Sequence, residues 1–279
     1  MSVDSQTNFL FLADSLPVKY PTFCKRLKAV LEELSINYDL IPGTKDVWAV
    51  DYMPIQLSDG KFVQFVYNPD YLRNSIKWRK TISDVDTVCS RLKISPKKSK
   101  IVLDGGNLIR TSNRALVCDK VFRENPFLSQ KQLTELLMDI LEVGELTIIP
   151  TDQNDFTGHA DGVVRFYDED TVFINDYSDE DGDYKRRLEA VLTSAGISLI
   201  RVPYNPYNNG SVDDASGTYL NFLEMSDLLL VPIFNRKEDR DAIELYEQLY
   251  PQKAVRAIDC NEIAHVGGLL NCISWNIKI

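Results

Sequence analysis

Five helical stretches punctuate the chain at nearly even intervals, and that evenness constrains the fold more than any other feature. They begin at Tyr20 (YPTFCKRLKAVLEEL), Ile82 (ISDVDTVCSRL), Ser129 (SQKQLTELLMDIL), Asp183 (DYKRRLEAVLTSA) and Lys237 (KEDRDAIELYEQLY), one every ~45–60 residues, which is the spacing of an internal repeat. Pro21 suits a first helical position and Ser129 an N-cap. Between the helices lie short runs rich in Val, Ile, Phe and Tyr, such as NFLFLAD, KFVQFVYN, RALVCD, TVFIND and DLLLVPIF, which read as strands. Each unit thus has two or three strands and one helix. No Gly/Ser- or Pro-rich linker divides the chain, and the polar loop Asn205–Ser216 is too short for a boundary. One closed α/β domain over residues 1–279, built from about five units, is expected. A doubly wound sheet ranks second because it leaves the evenness of the helices unexplained.

The chemically loaded segments keep the same phase. WAVDYMP carries Asp51, LDGGN carries Asp104, TGHADG carries His159 and Asp161, NNGSVDDASG centres near Asp214, and GGLLNC ends on Cys272. Asp51, Asp104, His159, Asp214 and Cys272 are separated by 53, 55, 55 and 58 residues. In a closed cyclic array, segments at one phase converge on one end of the axis. Periodicity alone therefore predicts a site there.

Composition narrows what that site handles. The net charge of −10 over 279 residues argues against nucleic acid or an anionic membrane surface as partner and suits a cationic ligand. The five cysteines are scattered, with no CxxC pair and no zinc-type cluster, so a reduced, cytoplasmic setting is expected. The first residues lack the basic and apolar regions of a signal peptide, and no stretch approaches the ~20 apolar residues of a membrane span. The acidic run NDYSDEDGDYKRRLE is no calcium loop. With Gly182 at the sixth position, Tyr177 and Leu188 fall where carboxylates are required. It reads instead as a solvated helix N-terminus. LDGGN lacks the lysine and spacing of a phosphate loop, and no G-x-S-x-G elbow occurs.

Each remaining candidate has an ordinary structural reading beside the chemical one. Of the two histidines, His159 lies among Asp155, Thr157, Gly158 and Asp161, and in an extended segment His159 and Asp161 face one way. His265 has no acidic neighbour in sequence nearer than Glu262 and reads as structural. Asp51 stands in a largely apolar stretch and needs an arginine, a backbone cap or a cationic ligand to offset its desolvation. Trp48, three residues earlier, either packs in the core or stacks on a planar cation. Asp104 is a turn residue or a weaker site candidate. Cys272 with His159 forms a nucleophilic pair, and the added carboxylates suit a guanidinium, a flat permanent cation with forked N–H donors.

The ordered set WAVDYMP, LDGGN, D-x-T-G-H-x-D-x-x-x-R-F (Asp155 to Phe166), YLNF, VPIF and GGLLNCISW resembles the agmatine deiminase and bacterial, Porphyromonas-type peptidylarginine deiminase group of the guanidino-group modifying enzymes. The resemblance implies the pentein fold, five pseudosymmetric ββαβ units around an axial active site. It implies Cys272 as nucleophile, His159 as general acid/base, Asp51 and Asp161 as guanidinium-binding carboxylates, and Trp48 and Asp104 as further substrate-binding positions. Asn271, beside the nucleophile, is placed with them, and Asp214, at repeat phase in the fourth-unit loop, either holds a second positive charge of the substrate, as Asp213 could, or is simply solvated. It implies no metal and no organic cofactor, and a small cationic guanidino substrate converted to a ureido product and ammonia. Relatives usually carry Arg where this chain has Val50, His where it has Asn271, and often Glu where it has Asp104. An amidinotransferase, a dimethylargininase-like hydrolase and a non-catalytic cation binder are the alternatives on the same fold. The sequence leaves the substrate tail unassigned and is compatible with a homo-oligomer.

Overall fold

The computed structural model describes residues 2–73, 76–178, 182–207, 209–211 and 213–279. Asp179, Glu180 and Asp181 of the acidic run, and Asn208 and Val212 of the fourth-unit loop, lie outside them.

Five three-stranded sheets repeat one pattern. In the second unit β3 (Ile55–Ser58) runs antiparallel to β4 (Lys61–Val66), and the helix Val85–Arg91 then leads to β5 (Lys97–Val102), parallel to β4. The third unit has β6 (Leu108–Arg110), β7 (Arg114–Cys118), the helix Gln130–Leu141 and β8 (Glu145–Ile149). The fourth has β9 (Val164–Phe166), β10 (Thr171–Asn175), the helix Asp183–Ser194 and β11 (Ser198–Val202). The fifth has β12 (Leu223–Glu224), β13 (Leu228–Ile233), the helix Glu238–Leu249 and β14 (Ala254–Asp259). The first unit is assembled from both chain ends. The strand β1 (Phe9–Ala13), the helix Pro21–Glu33 and β2 (Asn37–Ile41) take their antiparallel partner from β15 (Ser274–Ile277). The C-terminal run ISWNI therefore closes the ring.

Local sequence explains the elements. Leu133, Leu137 and Leu141 recur at four-residue spacing and are fully buried on one helix face. A reciprocal capping box between Ser129 and Gln132 starts that helix. The helix expected at Ile82 begins at Val85, because the Asp84 carboxylate accepts from the Thr87 N–H (3.2 Å) and acts as its N-cap. The strands Asn37–Ile41, Ile55–Ser58, Leu108–Arg110 and Leu223–Glu224 carry too little pattern to be foreseen. Three of them span two to four residues, and the outer edge strand NYDLI is mostly exposed or half-buried.

The repeat dictates where polar side chains gather. Asp51, Asp104, His159, Asp161, Asn221 and Cys272 each lie two to five residues before the first strand of a unit, at β3, β6, β9, β12 and β15. Trp275 of β15 locks the closure. Its Nε1–H donates to the Pro54 carbonyl (2.7 Å), and its ring packs on Phe11 and Phe62. Trp275→Ala is expected to cost about 3–5 kcal/mol, measured as a fall in the urea midpoint.

Candidate active site

The polar loops open onto a cleft of about 1280 Å³. Asp51 lies on the one-turn helix Ala49–Tyr52 and is 7% exposed. Its Oδ1 accepts the Gly106 N–H (3.1 Å) and lies 3.5 Å from His159 Nδ1. The partners that this carboxylate needed are thus a backbone cap and an imidazole, not an arginine. Gly106 makes the approach feasible, since a Cβ there would stand 2.7 Å from both Asp51 Oδ1 and His159 Nδ1. Burial pushes the Asp51 carboxyl up to about 7, against the opposing pull of His159.

His159 is 4% exposed and is held at both ring nitrogens, with Nε2 3.0 Å from Asp104 Oδ2. Burial disfavours its charge, but the Asp51 carboxylate and the hydrogen bond to Asp104 outweigh this and raise its pKa to about 9. His159 is extended, as expected, but Asp161 is not. It sits on the 3₁₀ turn Ala160–Gly162, and this turn, rather than strand alternation, brings it to the cleft. Asp161 Oδ2 accepts Asn271 Nδ2 (2.7 Å) and Asn221 Nδ2 (3.0 Å) and lies 3.6 Å from Cys272 Sγ.

Cys272 is half-buried, while the other four cysteines are buried. Its N–H donates to Asn221 Oδ1 (3.3 Å), and Asn221 Nδ2 lies 3.2 Å from Sγ. Burial, then the nearby Asp161 and Asp51 carboxylates, pushes the thiol well above its ordinary range. The loop before it is pressed against Trp48, because a Cβ on Gly268 would meet that ring at 2.3 Å. Trp48 is partly buried against the core and also lines the cleft.

Two expected substrate contacts, Asp104 and Asn271, lie outside the cleft, and a third, Asp214, lines it but is already engaged. Asp104 is fully buried and does not line the cleft; it stands behind His159, bonded to it and to Lys120 Nζ (3.0 Å). Asn271 likewise points at Asp161 rather than into the cleft, and it borders a second cavity of about 300 Å³. Asp214 lines the cleft, but its Oδ2 is taken by His265 Nδ1 at 2.7 Å, so His265 is not without an acidic partner. The chain fold supplies that partner from 51 residues away. Asn221 and Lys120 were not foreseen. Asn221 stands in YLNF, near the fourth phase position occupied by Asp214, so the repeat is a signal that could have located it. Nothing in sequence marks Lys120. Among the described residues no group of three or more His, Cys, Asp and Glu side chains is placed to hold a metal ion, and no helix is long and apolar enough to cross a membrane.

A model of the Porphyromonas-type peptidyl-arginine deiminase family matches residues 18–277. The chain belongs to this family. An agmatine deiminase homologue from Photobacterium profundum is 24% identical over 72% of the chain, and the match takes in 64% of that relative's length. The agmatine deiminase of C. jejuni superposes with a TM-score of 0.79 at 20% identity, over 99% of this chain and 94% of that one. The DDAH of Pseudomonas aeruginosa gives 0.59 at 9% identity, over 98% and 100%. These likenesses establish the pentein fold, and family membership supports a guanidino-modifying hydrolase. In the native protein, iodoacetamide should label Cys272 ahead of the four buried cysteines. The rate should keep climbing beyond pH 9, because the thiol lies above its ordinary range; peptide mass spectrometry at graded pH checks both.

Proposed function

We propose that the chain, as one catalytic domain over residues 1–279, deiminates agmatine or an arginine derivative to the ureido product and ammonia in the cytoplasm. The observation that carries this is the meeting, in one cleft, of the accessible Cys272 thiol, the Asp51 and Asp161 carboxylates and an imidazole clamped between Asp51 and Asp104. The names of the relatives, agmatine and peptidyl-arginine deiminases, support the substrate class.

In this scheme Asp51 and Asp161 grip the guanidinium from two sides with charge-assisted hydrogen bonds. The bound cation offsets the carboxylate field that opposes ionisation of Cys272, whose proton passes to solvent. The thiolate then forms a bond to the guanidinium carbon. His159 gives its proton to one nitrogen, the C–N bond breaks, and ammonia leaves an S-amidino (thiouronium) cysteine. Neutral His159 next takes a proton from water, the resulting hydroxide adds to the same carbon, and the C–S bond breaks to return thiolate, the hydroxyl proton passing to solvent as the neutral ureido product forms. The scheme uses no cofactor. Trp48 lies where it can cover the planar group. Asp214, engaged by His265, can take a second positive charge of the substrate only if His265 gives way.

Cys272→Ala should abolish ammonia release while a guanidine ligand still binds, as read by calorimetry beside an ammonia assay. Asp161→Asn should raise KM by about tenfold or more with the fold intact, since a hydrogen bond to a charged group contributes about 1.5–3 kcal/mol. The pH dependence of kcat/KM should be bell-shaped. It rises through about 7 as Asp51 becomes ionised and able to hold the cation, and falls above about 9 as His159 loses the proton it must donate. Product analysis separates this reaction from amidino transfer and from release of a methylamine.

A further inference from the structure

Behind the cleft lies a buried charge cluster with no direct part in the scheme above. Lys120, at the start of the short helix Lys120–Glu124, has a fully buried side chain. Its Nζ donates to Asp104 Oδ2 (3.0 Å) and to the Thr157 carbonyl (2.8 Å), and it lies 3.4 Å from Glu124 and 3.9 Å from Asp70. The Tyr71 ring covers it, with the centroid 5.1 Å away. The two bonds meet the two structures that hold His159. Asp104 Oδ2 is the same oxygen that binds His159 Nε2, and Thr157 stands two residues before His159 in its loop. A Cβ on Gly158 of that loop would touch the Lys120 side chain at 3.3 Å.

We propose that Lys120 is a positioning residue for proton transfer: it anchors Asp104 and the His159 loop together, and its buried charge makes His159 readier to give up its proton. This rests on His159 being the proton-transfer group. When His159 is neutral, Asp104 keeps one cation beside it and stays ionised; without Lys120, that buried carboxylate would be stranded with no counter-ion, a costly state. The protonated imidazole would then hold its proton more tightly. The other groups against His159 are Asp51 (Oδ1 3.5 Å from Nδ1), Tyr71 (ring centroids 5.9 Å) and Asp155, whose carboxylate accepts the His159 backbone N–H, while Asp161 lines the same cleft. Among the described residues named around His159, Lys120 is the cation. The electrostatics agree in direction: burial opposes the charge of His159, Asp51 and Asp104 favour it, and Lys120 works against it. Asp104 is pushed up by burial, yet its bonds from His159 and Lys120 hold it below the ordinary carboxyl range.

Removing Lys120 alone would leave Glu124 buried without its cation and Asp104 with His159 alone, so the test removes one charge of each sign. The variant Lys120→Met/Glu124→Gln is compared with Glu124→Gln, which makes the loss of the Glu124 charge common to both. The chain has only two histidines, so ¹⁵N-histidine spectra follow His159 directly, with His265 as internal reference and no need for turnover. The His159 midpoint should move up by about one unit, while that of His265 stays in place. With the same substrate, kcat should fall about tenfold at little change in KM. Where methionine costs the fold, Lys120→Gln/Glu124→Gln carries the same expectation. A folded variant with an unmoved His159 midpoint overturns the proposal, whereas a moved midpoint in a protein that never releases ammonia faults the assigned reaction and not the role of Lys120.

Discussion

The desolvation of carboxylates at the axis is the constraint on which the rest of the site depends. Asp51, Asp104, Asp161 and Glu124 are each less than a tenth exposed, and buried anions persist only when paired or hydrogen-bonded. The described residues meet this demand unevenly. Lys120 serves Asp104 and Glu124, His159 bridges Asp51 and Asp104, and two asparagine amides converge on Asp161. Asp51 is the least compensated, which is why burial lifts its carboxyl to about 7. In the proposed scheme a flat cation arriving between Asp51 and Asp161 supplies what the fold withholds, and that shortage of positive charge is the source of both recognition and thiol activation.

The ring explains how one short chain assembles such a cluster. Every unit enters its sheet through a loop that faces the axis, so five loops distant in sequence deliver one or two polar groups each. The loops brace one another: the Gly106 N–H caps Asp51, Asn221 holds the Cys272 N–H and Asp161, and Trp48 packs against Gly268. Precision at the proposed nucleophile then rests on closure by β15, since Cys272 lies two residues before that strand. Departures from the family pattern also gain a local meaning. Asn271 does not face the cleft; its amide steadies the Asp161 carboxylate, while Asp104 shares one oxygen between His159 and Lys120.

Much of this was legible in the chain because repetition survives in sequence. Helix spacing, the phase of the polar segments and the closing strand all follow from periods and end residues. Edge strands of two to four residues were not legible, since alternation needs more positions to show. Nor was the layering of the site. Asp104 and Asp51 look alike as acids in repeat-phased loops, and only three-dimensional packing puts one behind the histidine and the other in the cleft. Lys120 and the Asp214–His265 pair arise from contacts between units, which no local pattern encodes. Asn221 was recoverable from YLNF, which belongs to the ordered set of motifs, although it lies seven residues beyond Asp214 and so off the even phase of the acids.

The central claim is a covalent step on Cys272. Rapid acid quench of the protein with agmatine or an arginyl compound, followed by peptide mass spectrometry, tests it most directly. The account predicts a transient amidino adduct, substrate minus ammonia, on the peptide that carries Cys272. Ureido product formed with no adduct at Cys272 at any quench time, or an adduct on another residue, would contradict it.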